Sequence, residues 1–252
     1  MLRVLSPFLI PAAVVLSLGA VGLTAMTLGQ RSFIYFPSHR IVSTELLPWR
    51  DAERDIWGYA RPVDSPRAVW LMLHGNAGQA ADRGYAMKRT SASDAFYVLE
   101  YPGYGQRPGK PSRATIDQAA AEAYAWLKER YPGRPICVLG ESLGSGPAAS
   151  LARQPEPPDK IVLVVPFDTF ANVAARHMPY LPVRWLLRDR WDNLHALQGY
   201  RGQVEIFAAV DDRIIPYVHA ERLAKSLPGA RFILLNGGHN DWSVQPNFRL
   251  DP

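Results

Sequence analysis

Cysteine is almost absent from this chain. Cys137 stands alone among 252 residues, so no internal disulfide and no thiolate zinc site can form. It lies within an apolar run, where buried filler is the ordinary role of a single cysteine. Lysine is scarce too. Of 28 basic residues only Lys88, Lys110, Lys128, Lys160 and Lys225 are lysines, and the rest are scattered arginines. A nucleic-acid groove wants a clustered basic patch with interleaved aromatics, and no such run exists. The formal charge of +5 therefore reads as a solvated, arginine-biased surface. No histidine pair has the H-E-x-x-H spacing of a zinc site. A phosphate loop at Gly109-Lys110 fails as well. Tyr104 stands where that motif needs glycine, and Pro111 where it needs Ser or Thr. Nothing in the pattern asks for a metal or an organic cofactor.

What is present begins with a charge-free opening. Residues 4–30 carry no ionisable side chain and follow Arg3. A bilayer crossing needs about 20 apolar residues, and a buried core helix would normally show a polar face. The expectation is a single-pass transmembrane anchor over 1–30, with a domain over 31–252. A cleaved signal peptide is the alternative, because Ala20-Val21-Gly22 resembles a small-x-small cleavage site. Arg3 lies on one side, Arg31 and Arg40 on the other, so charge selects no membrane side for the domain. The stretch Phe33-Ile34-Tyr35-Phe36 after the span suits a membrane interface.

The remainder alternates. Short apolar runs fall at 68–73, 95–99, 136–139, 161–165, 204–210 and 232–235. Between them lie helical spacings such as Ile116, Ala119, Ala120, Ala123 and Leu127, with Thr115 and Gln118 as a capping box. Continuous apolar strands separated by amphipathic helices predict a mostly parallel α/β sheet with helices on both faces. Ligand sites in such sheets lie beyond the carboxyl ends of the strands. Those ends carry His74-Gly75-Asn76, the 101–105 loop, Ser142, Asp211-Asp212 and His239.

The third of these runs ends in Gly140-Glu141-Ser142-Leu143-Gly144. G-x-S-x-G between a strand and a helix is a nucleophile elbow, a tight turn that lifts the serine hydroxyl above the sheet edge. A dinucleotide fingerprint overlaps it at Gly144-Ser145-Gly146-Pro147-Ala148-Ala149. That reading wants an acidic residue about 20 positions on, which Glu156 and Asp159 precede and Asp168 meets only after Pro166-Phe167. It also leaves His239 without a role. A serine hydroxyl needs a base, and the base needs a carboxylate to orient it. His239 follows the last run, and Asp211 and Asp212 the one before, giving the order serine, acid, histidine.

With these residues in place the chain resembles the α/β-hydrolases, in particular a membrane-anchored branch that includes protein depalmitoylases and esterase-like proteins. The resemblance covers about residues 31–245. It rests on Phe33-Ile34-Tyr35-Phe36-Pro37, His74-Gly75-Asn76-Ala77-Gly78, Tyr101-Pro102-Gly103-Tyr104-Gly105, the elbow, Asp212-Arg213-Ile214-Ile215-Pro216 and Gly238-His239. It implies an α/β-hydrolase fold without a large cap domain. It also implies a triad of Ser142, Asp212 and His239, with Asp212 preferred to Asp211 by its spacing to Ile215-Pro216. The oxyanion hole it implies is made of the backbone N–H groups of Leu143 and of Asn76, with Ala77 as the alternative to Asn76, and His74 orients the loop. The strand before the acid departs from many relatives, carrying Phe207-Ala208-Ala209-Val210 where they have His-Gly. Residues 167–199 are the place for a lid or acyl wall. Tyr104, Phe167 and Phe170 are the candidates for the substrate pocket. His219 is expected on a helix surface, and Asp192 as a turn residue. The activity implied is hydrolysis of carboxylic esters or thioesters of a small or lipid-like acyl substrate, or of an acylated protein. A peptidase of the same fold and a non-catalytic membrane-tethered binding module are the alternatives.

Overall fold

Strands whose residues are all buried leave no polar face, so both faces must be covered. The computed structural model describes residues 9–252 except 53, 54 and 247. Among them one sheet holds β1 (Leu47–Arg50), β2 (Ile56–Arg61), β3 (Val69–Leu73), β4 (Ala95–Leu99), β5 (Ile136–Glu141), β6 (Lys160–Val164), β7 (Gln203–Ala209) and β8 (Arg231–Leu235). The strand order is β1-β2-β4-β3-β5-β6-β7-β8. From β4 to β8 all neighbours are parallel, and β1 and β2 run antiparallel at one edge. The helices are α1 (Leu9–Gly29), α2 (Arg31–Ile34), α3 (Gly84–Met87), α4 (Arg113–Arg130), α5 (Ser145–Ser150), α6 (Phe170–His177), α7 (Val183–Leu186), α8 (Asn193–Ala196) and α9 (Val218–Lys225).

Every residue of β3, β4, β5 and β6 is buried, and successive side chains take opposite faces. Leu71 and Leu73 enter one core, with Ile116, Ala120 and Leu127 of α4, Ala148 of α5 and Leu223 of α9. Trp70, Met72 and Cys137 enter the other. Burying one such side chain is worth about 1.5–3 kcal/mol. Helices cover both faces, but the second core is covered by shorter ones. Its cover is α3, two 3-10 turns carrying Ala80 and Trp242, and the tail residues Phe248 and Leu250. Two further differences are local. The strands β1 and β2 were not expected. β2 alternates between buried and half-buried residues, as an antiparallel strand with one face toward the core does. The α4 cap lies one turn earlier than Thr115. The extended backbone of Ser112 lets its hydroxyl accept from the Thr115 N–H, while Thr115 answers the Ser112 N–H.

The anchor region is one helix, α1, of 21 residues without a charge. Val14, Leu16, Leu18, Val21 and Leu28 on it are exposed. Counted over the described residues, no helix is long and apolar enough to cross a membrane. The start of the expected span, through residue 8, lies outside the described residues.

Asp168, at the turn beyond β6, ties several elements together. Its buried carboxylate accepts from the Thr169 N–H at 2.6 Å and from Asn172 Nδ2 at 2.9 Å. His219 Nδ1 lies 2.8 Å away, and Arg222 pairs with the same group. His219 is therefore turned inward from α9 and buried, which corrects the surface position expected for it. Burial pushes the Asp168 carboxyl up. The bonds from His219, Thr169, Asn172 and Arg222 outweigh that and hold it at about 2.

Two outcomes follow for stability. Trp242 is buried against Phe248 at 5.0 Å and Tyr85 at 5.5 Å on the face that has least helix cover. Trp242→Ala should cost about 3–5 kcal/mol, measured as a fall in the urea midpoint. For Asp168, the folded carboxyl sits below the ordinary aspartate value of about 3.9. Its contribution is complete above about pH 4 and is lost as the pH falls through the folded value near 2. Asp168→Asn should lower stability at pH 7 by about 3 kcal/mol. The gap from wild type should narrow below about pH 4, and an unchanged gap at pH 3 would show that ionisation contributes nothing.

Candidate active site

The site is made by strand ends held level. Leu73 of β3 pairs with Leu99 of β4 and with Gly140 of β5, and Glu141 pairs with Val164 of β6. The chain therefore leaves β3, β5 and β6 side by side. At the end of β5 the backbone of Ser142 has φ +51°, a left-handed conformation that costs a non-glycine residue energy. The flanking glycines are required by contact. A Cβ on Gly144 would lie 1.9 Å from the Leu73 carbonyl oxygen, and one on Gly140 2.6 Å from Ala148 Cβ. Val165, at the end of β6, is also left-handed at φ +46°, which is rarer still for a β-branched residue. Its N–H donates to the Phe207 carbonyl at 2.7 Å.

Ser142, His239 and Asp212 come together. His239 Nε2 lies 2.9 Å from Ser142 Oγ, and His239 Nδ1 lies 2.7 Å from Asp212 Oδ2. The other oxygen of Asp212 accepts from the N–H groups of Ile214 and Ile215 at 2.9 and 2.8 Å. This explains the spacing to Ile215-Pro216: the turn wraps back on the carboxylate and fixes it. Asp211 is exposed, and its N–H donates to the Gly237 carbonyl. A serine, a base within hydrogen-bond reach and an oriented carboxylate can activate an oxygen nucleophile.

Asn76 and Leu143 both reach the same cavity as Ser142. Asn76 holds its loop with its side chain. Oδ1 accepts from the Phe36 N–H at 3.0 Å and from the Tyr104 hydroxyl at 2.8 Å, and Nδ2 donates to the Ile34 carbonyl. His74 is buried, stacked on Tyr101 at 4.2 Å, with Nδ1 2.8 Å from the Gly75 carbonyl.

Two buried carboxylates here were not singled out from sequence. Glu141 accepts from the Gly75 N–H at 3.1 Å, the Tyr85 hydroxyl at 2.9 Å and Trp242 Nε1 at 3.0 Å. Burial raises its carboxyl, but the Arg83 guanidinium at 3.9 Å and these donors bring it below the usual value. Glu100, after β4, accepts from the Ala80 N–H at 3.0 Å. The available signal was an acidic residue directly ending a wholly apolar run, a position that demands partners.

A cavity of about 330 Å³ opens beside Ser142. Its wall is mainly apolar and includes Phe167 and Phe170 together with Val173, Leu186 and Ile215. Residues 167–199 form α6 and α7, which supply part of that wall, and α8, which Asp192 caps by accepting from the His195 N–H at 2.9 Å. Tyr104 requires correction. It is fully buried and does not line the cavity, because its hydroxyl is drawn to Asn76 behind the loop. His177 lines the cavity, and its Nε2 lies 2.7 Å from the Ile214 carbonyl. Burial pushes the Cys137 thiol up to about 12, which suits an inert filler.

Known proteins resemble this chain in sequence and in fold. A family model described as alpha/beta hydrolase fold matches residues 70–201. An uncharacterized protein of Mycobacterium tuberculosis is 32% identical, with 92% of this chain and 88% of that protein covered. The lysophosphatidylserine lipase ABHD12 of Danio rerio is 29% identical over 72% of this chain, which spans 54% of that relative's length. Among solved structures, an esterase of Pyrococcus furiosus superposes with TM-score 0.64 at 16% identity, covering 84% of this chain and 91% of that one. The elbow, the sheet order and these matches agree, and the chain belongs to the α/β-hydrolase family.

Proposed function

We propose that the chain is a membrane-tethered serine hydrolase acting on carboxylic esters or thioesters of lipid-like acyl groups. The observation that carries this reading is the contact series Ser142–His239–Asp212, at 2.9 and 2.7 Å, opening on an apolar cavity. Ser142 Oγ attacks the acyl carbon while His239 Nε2 takes its proton. The Asp212 carboxylate keeps Nδ1 protonated and stabilises the imidazolium. The backbone N–H groups of Leu143 and Asn76 receive the oxyanion. As the carbon–oxygen or carbon–sulfur bond breaks, His239 returns the proton to the leaving group. Water, deprotonated by His239, then attacks the acyl-serine and releases the acid.

The character of the wall supports an acyl chain over a polar substrate. A volume of about 330 Å³ lies near the lower end of the ~300–1,000 Å³ typical of small-ligand sites, which favours one chain over two. The likeness to a lysophosphatidylserine lipase points the same way. The tether is α1. A helix apolar on every described side has no stable place in water, and Phe33 and Phe36, both exposed just past it, fit the interfacial belt of a single bilayer crossing.

Ser142→Ala should abolish covalent labelling by a fluorophosphonate probe and turnover of p-nitrophenyl esters. Asp212→Asn should lower kcat roughly 10⁴-fold, and Asp211→Asn should leave it within about threefold, because a surface charge away from the site contributes little. Labelling that survives in the Ser142→Ala protein would remove Ser142 as nucleophile.

A further inference from the structure

The cavity wall contains residues that composition assigns to the anchor. Met26, Thr27 and Gln30 line it, together with Phe33, Ile34 and Phe36 of the following segment. On α1, Met26 and Thr27 are half-buried and Gln30, just past its end, is buried, while Leu28 stays 69% exposed. Positions 26, 27 and 30 lie on one helical face, so the last turn of α1 turns that face to the domain.

Two sets of polar contacts fix this face. The first runs to the lid. Gln30 Nε2 donates to the Leu186 carbonyl at 3.1 Å, and its Oε1 accepts from the Arg188 N–H at 2.7 Å. Next to it Asp189 takes a two-point ion pair from Arg31, at 3.0 and 3.2 Å, and the Tyr35 hydroxyl at 2.9 Å. Tyr35 and Asp189 are buried. Burial, then Asp189, push the Tyr35 phenol well above its ordinary value, so it remains a donor. The second set runs to the loop of Asn76. Asn76 binds the Ile34 carbonyl and the Phe36 N–H, and the Ser38 N–H donates to the Gly78 carbonyl at 2.9 Å. Residues 30–38 thus form a strap, hydrogen-bonded on one side to the segment after α7 and on the other to the loop that faces Ser142. A plain tether would need neither.

We propose that the end of α1 and this strap form the distal half of an acyl-chain subsite. A single unbranched chain, with its carbonyl at Ser142, lies between α6–α7 and α1 with its tail against Met26. The anchor helix is a specificity-determining wall of the site as well as a tether. Gln30 and Asp189 are positioning residues, holding the lid at the distance that makes the subsite. The ligand is defined by the wall: straight, apolar, single-chain, and delivered along a helix that itself runs into lipid. This rests on the acyl-hydrolase reading only for the carbonyl's place, since the subsite is a separate piece of geometry.

The test uses the full chain in lipid nanodiscs with two readouts. The first is binding of cis-parinaric acid, a straight-chain fluorescent fatty acid, to Ser142→Ala protein. The second is the ratio of kcat/KM for p-nitrophenyl laurate to that for the acetate. Met26→Trp, which fills the distal end, should weaken fatty-acid binding and lower the laurate-to-acetate ratio, each by roughly tenfold or more, the size of steric discrimination in an apolar pocket. Gln30→Leu should raise KM for laurate with a smaller change in kcat, because it frees the lid and leaves Ser142 alone. Leu28→Trp, on the exposed side of the same helix, is the control and should shift neither readout. Binding and ratio unmoved by Met26→Trp, or moved equally by Leu28→Trp, would overturn the subsite. If no ester is turned over by the wild type while binding still follows Met26, the hydrolase reading falls and the subsite stands.

Discussion

The Leu73 carbonyl and the Gly144 α-carbon occupy adjoining space with no room for a side chain between them. That contact between β3 and the turn after β5 is the constraint the site depends on. It sets how close the loop after β3 comes to the elbow, and hence how close Asn76 lies to Leu143. It also fixes the left-handed turn that presents Ser142. The strain at Ser142, of order 1–3 kcal/mol, persists because the parallel strands on both sides hold the turn rigidly. Several buried strand residues at about 1.5–3 kcal/mol each outweigh it comfortably.

Around that constraint the protein places buried carboxylates at successive strand ends: Glu100 after β4, Glu141 ending β5, Asp168 after β6 and Asp212 after β7. Each would be costly without donors, and each has them. Glu141 braces the loop of Gly75 against the C-terminal turn of Trp242, and Asp168 joins α6 to α9. Asp212 is held by two backbone N–H groups and so has one oxygen left for His239. The same chemical device serves structure in three places and the site in the fourth.

Much of this was legible in the sequence because steric and periodic rules act locally. Gly140 and Gly144 declare a tight turn, and the apolar runs declare a sheet buried on both faces. The spacing to Ile215-Pro216 that sets Asp212 apart from Asp211 has a physical counterpart, since the turn's own N–H groups bind the Asp212 carboxylate. What was not legible depends on contacts between distant parts of the chain. The direction of Tyr104 is set by Asn76, 28 positions away. The burial of His219 is set by Asp168, 51 positions away. The antiparallel strands β1 and β2 lack a continuous apolar run because one face of each stays exposed or half-exposed. Part of the second core is covered by Trp242 and Phe248, two large rings far along the sequence from the strands they cover.

The strap at residues 30–38 also bears on when the site comes into being. Gln30 meets its partners Leu186 and Arg188 across 156 and 158 positions of sequence. Residue 30 must therefore wait for residues made much later before the cavity has its outer wall. Closing so long a loop costs only slightly more than closing a short one, so the delay is one of order rather than of energy. Composition draws a boundary at residue 30, but assembly does not respect it. The segment around residues 26–38 is the part whose docking completes the cavity wall.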